Sequence, residues 1–331
     1  MALLRKINTK AKTEINTGFG TNAADYGGRF VNKNGLPNVE KRGVSLLERI
    51  SWFHSMLSIP RWKFFFLIFA FYIIVNLVFA IVYYFVGVEH LSGMNTGNEL
   101  EKFGEAFFFS AQTFTTVGYG RISPSGFLTS AIAAFEALIG LLSFALATGL
   151  LYGRFSKPTA HIKFSANAII APYKNINALM LRIAPFKNIT LTDAEAKLTL
   201  GMIVTENDKK ANKFFPLQLE LDTINSLTLS WTIVHPINEE SPLFGFLKED
   251  FENTQGEFIV FIKAFDDKFS NTVVTRSSYT FKEIIVGAKF IPMYHRNEEA
   301  NKTILDLEKL NSFIPAELNA TSINIDKTEN S

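Results

Sequence analysis

Six consecutive residues, Thr115, Thr116, Val117, Gly118, Tyr119 and Gly120, carry the strongest chemical signal in the chain. Backbone carbonyls are hard oxygen ligands. A run of them can replace the water around a dehydrated monovalent cation if successive carbonyls aim at the same line. Alternate residues must then reach dihedrals closed to most side chains, and Gly118 and Gly120 carry no Cβ to forbid it. Val117 and Tyr119 would point away and pack as a cuff, while the Thr116 hydroxyl adds one more oxygen at the inner end.

Such a loop needs rigid elements around it. Just before it runs FGEAFFFSAQTF, Phe103 to Phe114, apolar but too short to cross a bilayer. It predicts a re-entrant helix over 103–115, with filter residues 116–120 following. The helix aims the partial negative charge of its C-terminal end at the cation. Irregular backbone at membrane depth is tolerated only where protein covers it or where it lines an aqueous path. On either side lie the longer apolar runs Phe64–Val86, with no charge, and Phe127–Tyr152, whose one charge is Glu136. About 20 apolar residues cross a ~30 Å hydrocarbon core, so both are read as spans: an outer helix over 63–87 and an inner helix over 126–155. Glu136 is costly in lipid and must face protein or water. It is expected to support the back of the filter, with proton sensing as the alternative.

Lys and Arg outnumber Asp and Glu ahead of the first span, and Arg154 and Lys157 follow the second, whereas the connector holds Glu89, Glu99, Glu101 and Glu105 against Lys102 and Arg121. The positive-inside rule then puts both termini in the cytoplasm. Leu46, Leu47, Ile50, Phe53, Met56 and Leu57 recur at helical spacing ahead of Pro60. They predict an amphipathic helix over 45–60 along the inner membrane surface, with 1–44 as an N-terminal segment and 61–157 as the pore domain.

Beyond 157 the pattern changes. Short β-rich runs such as ALMLRIA, FPLQLELD, LTLSWTIV, EFIVFIKAF and TVVTRSSYTF alternate with Asn, Asp, Gly and Pro, so 158–315 reads as an all-β domain and the polar stretch 316–331 as a disordered tail. The 331 residues contain no Cys and five His, with a formal net charge of +2. Thiolate chemistry is excluded, and no bulk charge argues for nucleic acid. No cluster of carboxylates or His has ligand spacing, no phosphate-binding Gly loop follows the second span, and an anchored β-domain that conducts nothing would leave the loop at 115–120 unexplained.

Thr116–Gly120 spell TVGYG, itself a known potassium-filter sequence, so assigning K⁺ to it recognises a pattern and derives nothing new. Four further blocks narrow the likeness: RFVNKNGLPNVE at 29–40, FSANAII at 164–170, WTIVHPINEESPLFG at 231–245 and TRSSYTFKEIIVGAKFIPM at 275–293. With these the chain resembles a prokaryotic inward rectifier potassium channel from about 28 to 315. The resemblance implies a multi-domain membrane protein: a two-helix pore domain, a cytoplasmic immunoglobulin-like β-sandwich, and a homotetramer that conducts K⁺ passively and is not an enzyme. It implies K⁺ ions in the filter, no other cofactor, and a multi-pass place in the bacterial inner membrane.

The resemblance also implies roles residue by residue. Tyr152 matches a bundle-crossing gate, Phe144 a cavity position, and Gly140 a hinge, with Thr148 on the same i, i+4 row. Phe144 lacks the carboxylate that attracts blocking polyamines, which implies weak rectification. Thr115 adjoins the filter base. Gln112 stands where many members carry a Glu that bridges to a basic residue after the filter, so Arg121 is left without that partner. Asp266 and Asp267 fall at a narrowing of the cytoplasmic pore. Arg61, Lys63, Arg154, Lys157, His161 and Lys163 fall where the family meets anionic phospholipid or phosphoinositide at the inner surface.

Overall fold

The computed structural model describes residue 13 and residues 29–45, 51–95, 97–206, 209–297 and 301–320. The chain divides into two units, Arg42–Lys157 and a second made of the N-terminal residues to Lys41 together with Pro158 onwards.

The first unit is helical. A short helix, α1 (Trp52–Ser58), precedes α2 (Arg61–Val86), α3 (Glu99–Phe114) and α4 (Phe127–Phe155). Pro60, which has no N–H to waste, sits at the N-cap of α2, and Gly87 at φ +114° ends it. The two long helices are apolar enough to cross a membrane, and most of their large side chains are exposed in the single chain. Helices that are apolar all round need lipid or further protein on every face. Two-residue strands β1 (Leu91–Ser92) and β2 (Ser123–Pro124) pair antiparallel and tie the connector together. A small core of Ala80, Tyr83, Leu91, Ala106, Phe109, Ile122 and Ala133 joins α2, α3 and α4.

The re-entrant helix starts earlier than its apolar residues suggest. Asn98 accepts a hydrogen bond from the Glu101 N–H at 2.9 Å, and Glu99 and Glu101 fill a first turn that favours negative charge. A polar first turn carries no apolar periodicity, so the predicted start at 103 was late. Of the predicted interfacial helix, Leu46, Leu47 and Ile50 lie outside the described residues.

The second unit is a β-sandwich. Its strands are β3 (Ile162–Phe164), β4 (Ala168–Tyr173), β5 (Ile176–Pro185), β6 (Leu191–Glu206), β7 (Lys209–Leu217), β8 (Thr223–Ser226), β9 (Trp231–Pro236), β10 (Gly256–Asp266), β11 (Asn271–Thr280) and β12 (Ile284–Val286), with a short helix α5 (Lys248–Asn253) before β10. One sheet runs β11-β10-β6-β7 with β8 on β6; the other runs β12-β4-β5-β3 with β9 on β5. Phe258, Val260, Ile262 and Ala264 of β10 are buried at every second position and meet Leu198 and Leu200 of β6 in one core. That alternation is the period of a strand with one face inward.

Residues 29–38 dock on this sandwich. The buried Glu257 carboxylate accepts the backbone N–H groups of Phe30 and Val31, the latter at 3.0 Å. Phe30 stacks edge-on against Phe214 at 5.2 Å, over Gly201, where a side chain would crowd both rings. Glu283 pairs with Arg29 at 2.9 Å and Lys33 at 3.0 Å. Partial burial pushes its carboxyl up, but the Thr280 N–H, Lys33 and Arg29 pull it below the ordinary range.

Past β12, strands β13 (Ala288–Phe290), β14 (Tyr294–Asn297), β15 (Lys302–Leu305) and β16 (Phe313–Pro315) complete the unit; β13 pairs β16 and β14 pairs β15. The polar tail does not begin at 316. Asn319 exchanges hydrogen bonds with the buried Asn177, N–H to Oδ1 at 2.9 Å and Nδ2 to carbonyl at 2.8 Å, and Ala316 bonds Gly287 at 2.9 Å. Composition is blind to such anchors; residues 321–331 lie outside the described part.

Candidate functional site

The loop after α3 turns back along its own helix. Val117 and Gly118 donate to the Gln112 carbonyl at 2.9 and 3.3 Å, and Thr116 donates to Thr113 at 3.0 Å, so the base of the loop is bonded to the last turn of the helix. Thr116, Gly118 and Gly120 have φ of +59°, +50° and +82°. Positive φ at every second residue flips alternate peptides, which is how a stretched backbone turns its carbonyls to one side. For Gly this is free; for β-branched Thr116 it is an outlier that costs on the order of 1–3 kcal/mol and marks a functional constraint. Val117 and Tyr119 are exposed in the single chain.

Behind the loop lies a buried polar chain. The Tyr83 hydroxyl donates to Glu136 Oε2 at 2.7 Å, Ser110 Oγ donates to Glu136 Oε1, and Asn76 Oδ1 lies 3.0 Å from the same Ser110 hydroxyl. Asn76 Nδ2 donates to the Tyr72 carbonyl at 2.7 Å. All four side chains are fully buried. The chain ties α2, α3 and α4 together, which an all-apolar packing would do with less fixed geometry. Glu136 is the member of this chain that the sequence marked; Ser110 and Tyr83 gave no signal there.

Gly140 of α4 packs against the end of α3, where an added Cβ would overlap the Phe114 carbonyl oxygen. Further along α4, Phe144, Thr148 and Tyr152 are all exposed in the single chain. Thr115, Thr116, Gly140, Phe144 and residues of α2 line an open apolar pocket of about 560 Å³.

At the outer end, Arg121 Nη2 lies 2.6 Å from Glu105 Oε2. In the sequence Glu105 counts only as one charge of the connector, and Gln112 stands at the position expected to face Arg121.

Residues 162–331 match the family model for the inward rectifier potassium channel C-terminal domain, and 71–157 match the ion channel model. The chain is 32% identical over 286 residues to the inward rectifier potassium channel Kirbac3.1 of Paramagnetospirillum magnetotacticum, covering 85% of this chain and 94% of that one. The chain belongs to the inward rectifier potassium channel family. It is 26% identical over 304 residues to the ATP-sensitive inward rectifier potassium channel 12 of Gallus gallus, covering 84% of this chain and 70% of that one. The sporulation control protein Spo0M of Bacillus subtilis superposes at a TM-score of only 0.22, with 9% identity over 38% of this chain and 49% of that one, and bears on nothing here. As a family member the chain is a potassium channel subunit and not an enzyme, with a two-helix membrane pore domain and an immunoglobulin-like β-sandwich.

Among the basic residues singled out in this inward rectifier, Arg61, Lys63, Lys157 and Lys163 are exposed. Arg154 is half-buried. Its guanidinium donates to the carbonyls of Met56, at 2.8 Å, and Ile59, and stacks 4.9 Å from the Phe64 ring centre, so it caps the C-terminal end of α1. His161 is half-buried, and burial, with Lys187 nearby, holds its imidazole below the ordinary value despite Asp266.

Asp266 does not face a pore. It is buried by its own chain, and its carboxylate accepts the Lys268 and Phe269 N–H groups at 3.0 and 3.3 Å, closing the β10–β11 turn. Asp267 remains exposed and accepts from the Thr192 hydroxyl at 3.0 Å.

Proposed function

We propose that four copies of this channel subunit surround one axis, and that K⁺ passes in single file through rings of oxygen from Thr116, Val117, Gly118, Tyr119 and Gly120. The observation that carries this is the alternation of positive φ at Thr116, Gly118 and Gly120, directly after a helix C-terminus. Thr115 and Gln112 brace the base of the filter, and Glu136 braces its back through Ser110. K⁺ is the only ion the filter needs.

Gating lies at Tyr152, where four rings can close a dewetted constriction, with Phe144 and Thr148 on the cavity wall and Gly140 where the inner helix crosses α3. An apolar ring at Phe144 gives weak rectification. Asp267 concentrates cations at the cytoplasmic mouth. The subunit sits in the bacterial inner membrane with both termini inside, and Arg61, Lys63, Lys157 and Lys163 draw anionic phospholipid to the inner surface.

The test is ⁸⁶Rb⁺ uptake into liposomes holding the purified protein, with Ba²⁺ as blocker. Uptake is expected to favour Rb⁺ strongly over Na⁺, and Gly118→Ala is expected to abolish it while leaving the tetramer intact. Equal Rb⁺ and Na⁺ uptake, full uptake by Gly118→Ala, or a stably monomeric particle would refute the reading.

A further inference from the structure

Glu105 and Arg121 form the one described ion pair between α3 and the chain beyond the filter. Resting on the filter reading above, we propose that Glu105 is a positioning residue for ion selection, and that its pair with Arg121 fixes the outer end of the filter.

Two ties to one helix argue for it. From Glu105 to Thr115 the helix rises about 15 Å at ~1.5 Å per residue. The backbone from Thr115 to Arg121 reaches at most roughly 20 Å when fully drawn out. The ~15 Å span lies within that reach, so the loop can be tied to one helix at both of its ends. The lower tie is the Gln112 carbonyl, which takes the Val117 and Gly118 N–H groups. The upper tie is Glu105, whose side chain is only 17% exposed against 50% for Arg121, so the carboxylate is the fixed end. A second contact holds Arg121 from the other side: Gly93, at φ +86°, packs so closely on the Arg121 carbonyl that a Cβ would overlap it. Arg121 directly follows Gly120, so fixing it fixes where the last filter carbonyl points. Glu105 lies two helical turns before Gln112, on the same face of α3, and supplies the carboxylate that Gln112 lacks.

The experiment compares Rb⁺ and Na⁺ uptake in liposomes for Glu105→Gln, Arg121→Gln and Arg121→Lys, with Gly118→Ala alongside. Both neutralising variants are expected to lower the Rb⁺ preference about tenfold or more, and Arg121→Lys to keep it. A charge acting only through its field would move Glu105→Gln and Arg121→Gln in opposite directions, and that result overturns the clamp. A wild-type preference in Glu105→Gln beside a silent Gly118→Ala overturns the clamp while sparing the filter, whereas a conducting Gly118→Ala sinks the filter itself. Stabilisation of the detergent-solubilised tetramer by K⁺ over Na⁺, read by melting, needs no transport. It is expected to be lost in Glu105→Gln, and its persistence there overturns the proposal.

Discussion

The Tyr83 hydroxyl and the Glu136 carboxylate meet at 2.7 Å, joining the outer and inner helices at a point closed to solvent. Removing one donor from a buried pair leaves the acceptor undersatisfied, at a cost of about 1–3 kcal/mol. Tyr83→Phe is expected to lower the melting temperature of the solubilised tetramer. Glu136→Ala is expected to lower it more, because it strands the Tyr83 hydroxyl, leaves Ser110 only the Asn76 oxygen and opens a void. Equal melting of wild type and Tyr83→Phe would show that the bond contributes nothing to stability.

The filter and its helices are legible because each leaves a local mark: TVGYG is contiguous, and the apolar runs are long. Long-range polar partnerships leave none. Arg121 looked orphaned opposite Gln112, and only folding shows that the loop returns to the level of Glu105. Arg154 read as a lipid cation because basic residues cluster there, while folding also turns two of its N–H groups onto the Met56 and Ile59 carbonyls. For Asp266 and Asp267, adjacent in sequence, hairpin geometry alone decides that one folds inward and the other stays in water.

Gly140 has ordinary helical backbone, so its need for Gly comes from space and not from φ. Gly140→Ala must push α4 off the Phe114 carbonyl, at the root of the filter. Overpacking of this kind costs about 1–3 kcal/mol. The expected result is a sharp fall in ⁸⁶Rb⁺ uptake with the β-sandwich circular dichroism unchanged; wild-type uptake would show that the contact yields freely.

Burial depresses the His235 imidazole to about 4, although its hydrogen bond to the Gln218 carbonyl works the other way. The unfolded side chain titrates near 6.5. The folded state therefore binds fewer protons than the unfolded one between these values, and stability falls as pH drops from 6.5 to 4, by up to about 3 kcal/mol, at ~1.4 kcal/mol per unit. Above pH 6.5 the group contributes no pH dependence. His235→Gln is expected to flatten that part of the curve in urea denaturation of the full chain. A slope unchanged by the substitution would assign the acid sensitivity to other groups.

Glu257 is the hinge pin of the N-terminal segment, because its buried carboxylate takes the N–H groups of Phe30 and Val31 together. Glu257→Ala removes both acceptor positions in one step and leaves Arg29 held by the more exposed Glu283 and by Ser278, and Lys33 by Glu283 and the Ala166 carbonyl. A loss of about 1–3 kcal/mol raises the undocked population roughly tenfold or more, since ~1.4 kcal/mol is a factor of ten. Cleavage by a protease that reads the open state should rise in proportion. Trypsin is therefore expected to cut after Arg29 or Lys33 at least ten times faster in Glu257→Ala than in wild type. Glu283→Gln, which keeps the Glu257 bonds, should show a smaller rise. Equal cleavage rates in all three proteins would mean that neither carboxylate holds the segment down, leaving that role to the Phe30–Phe214 contact and the Ser278 bonds.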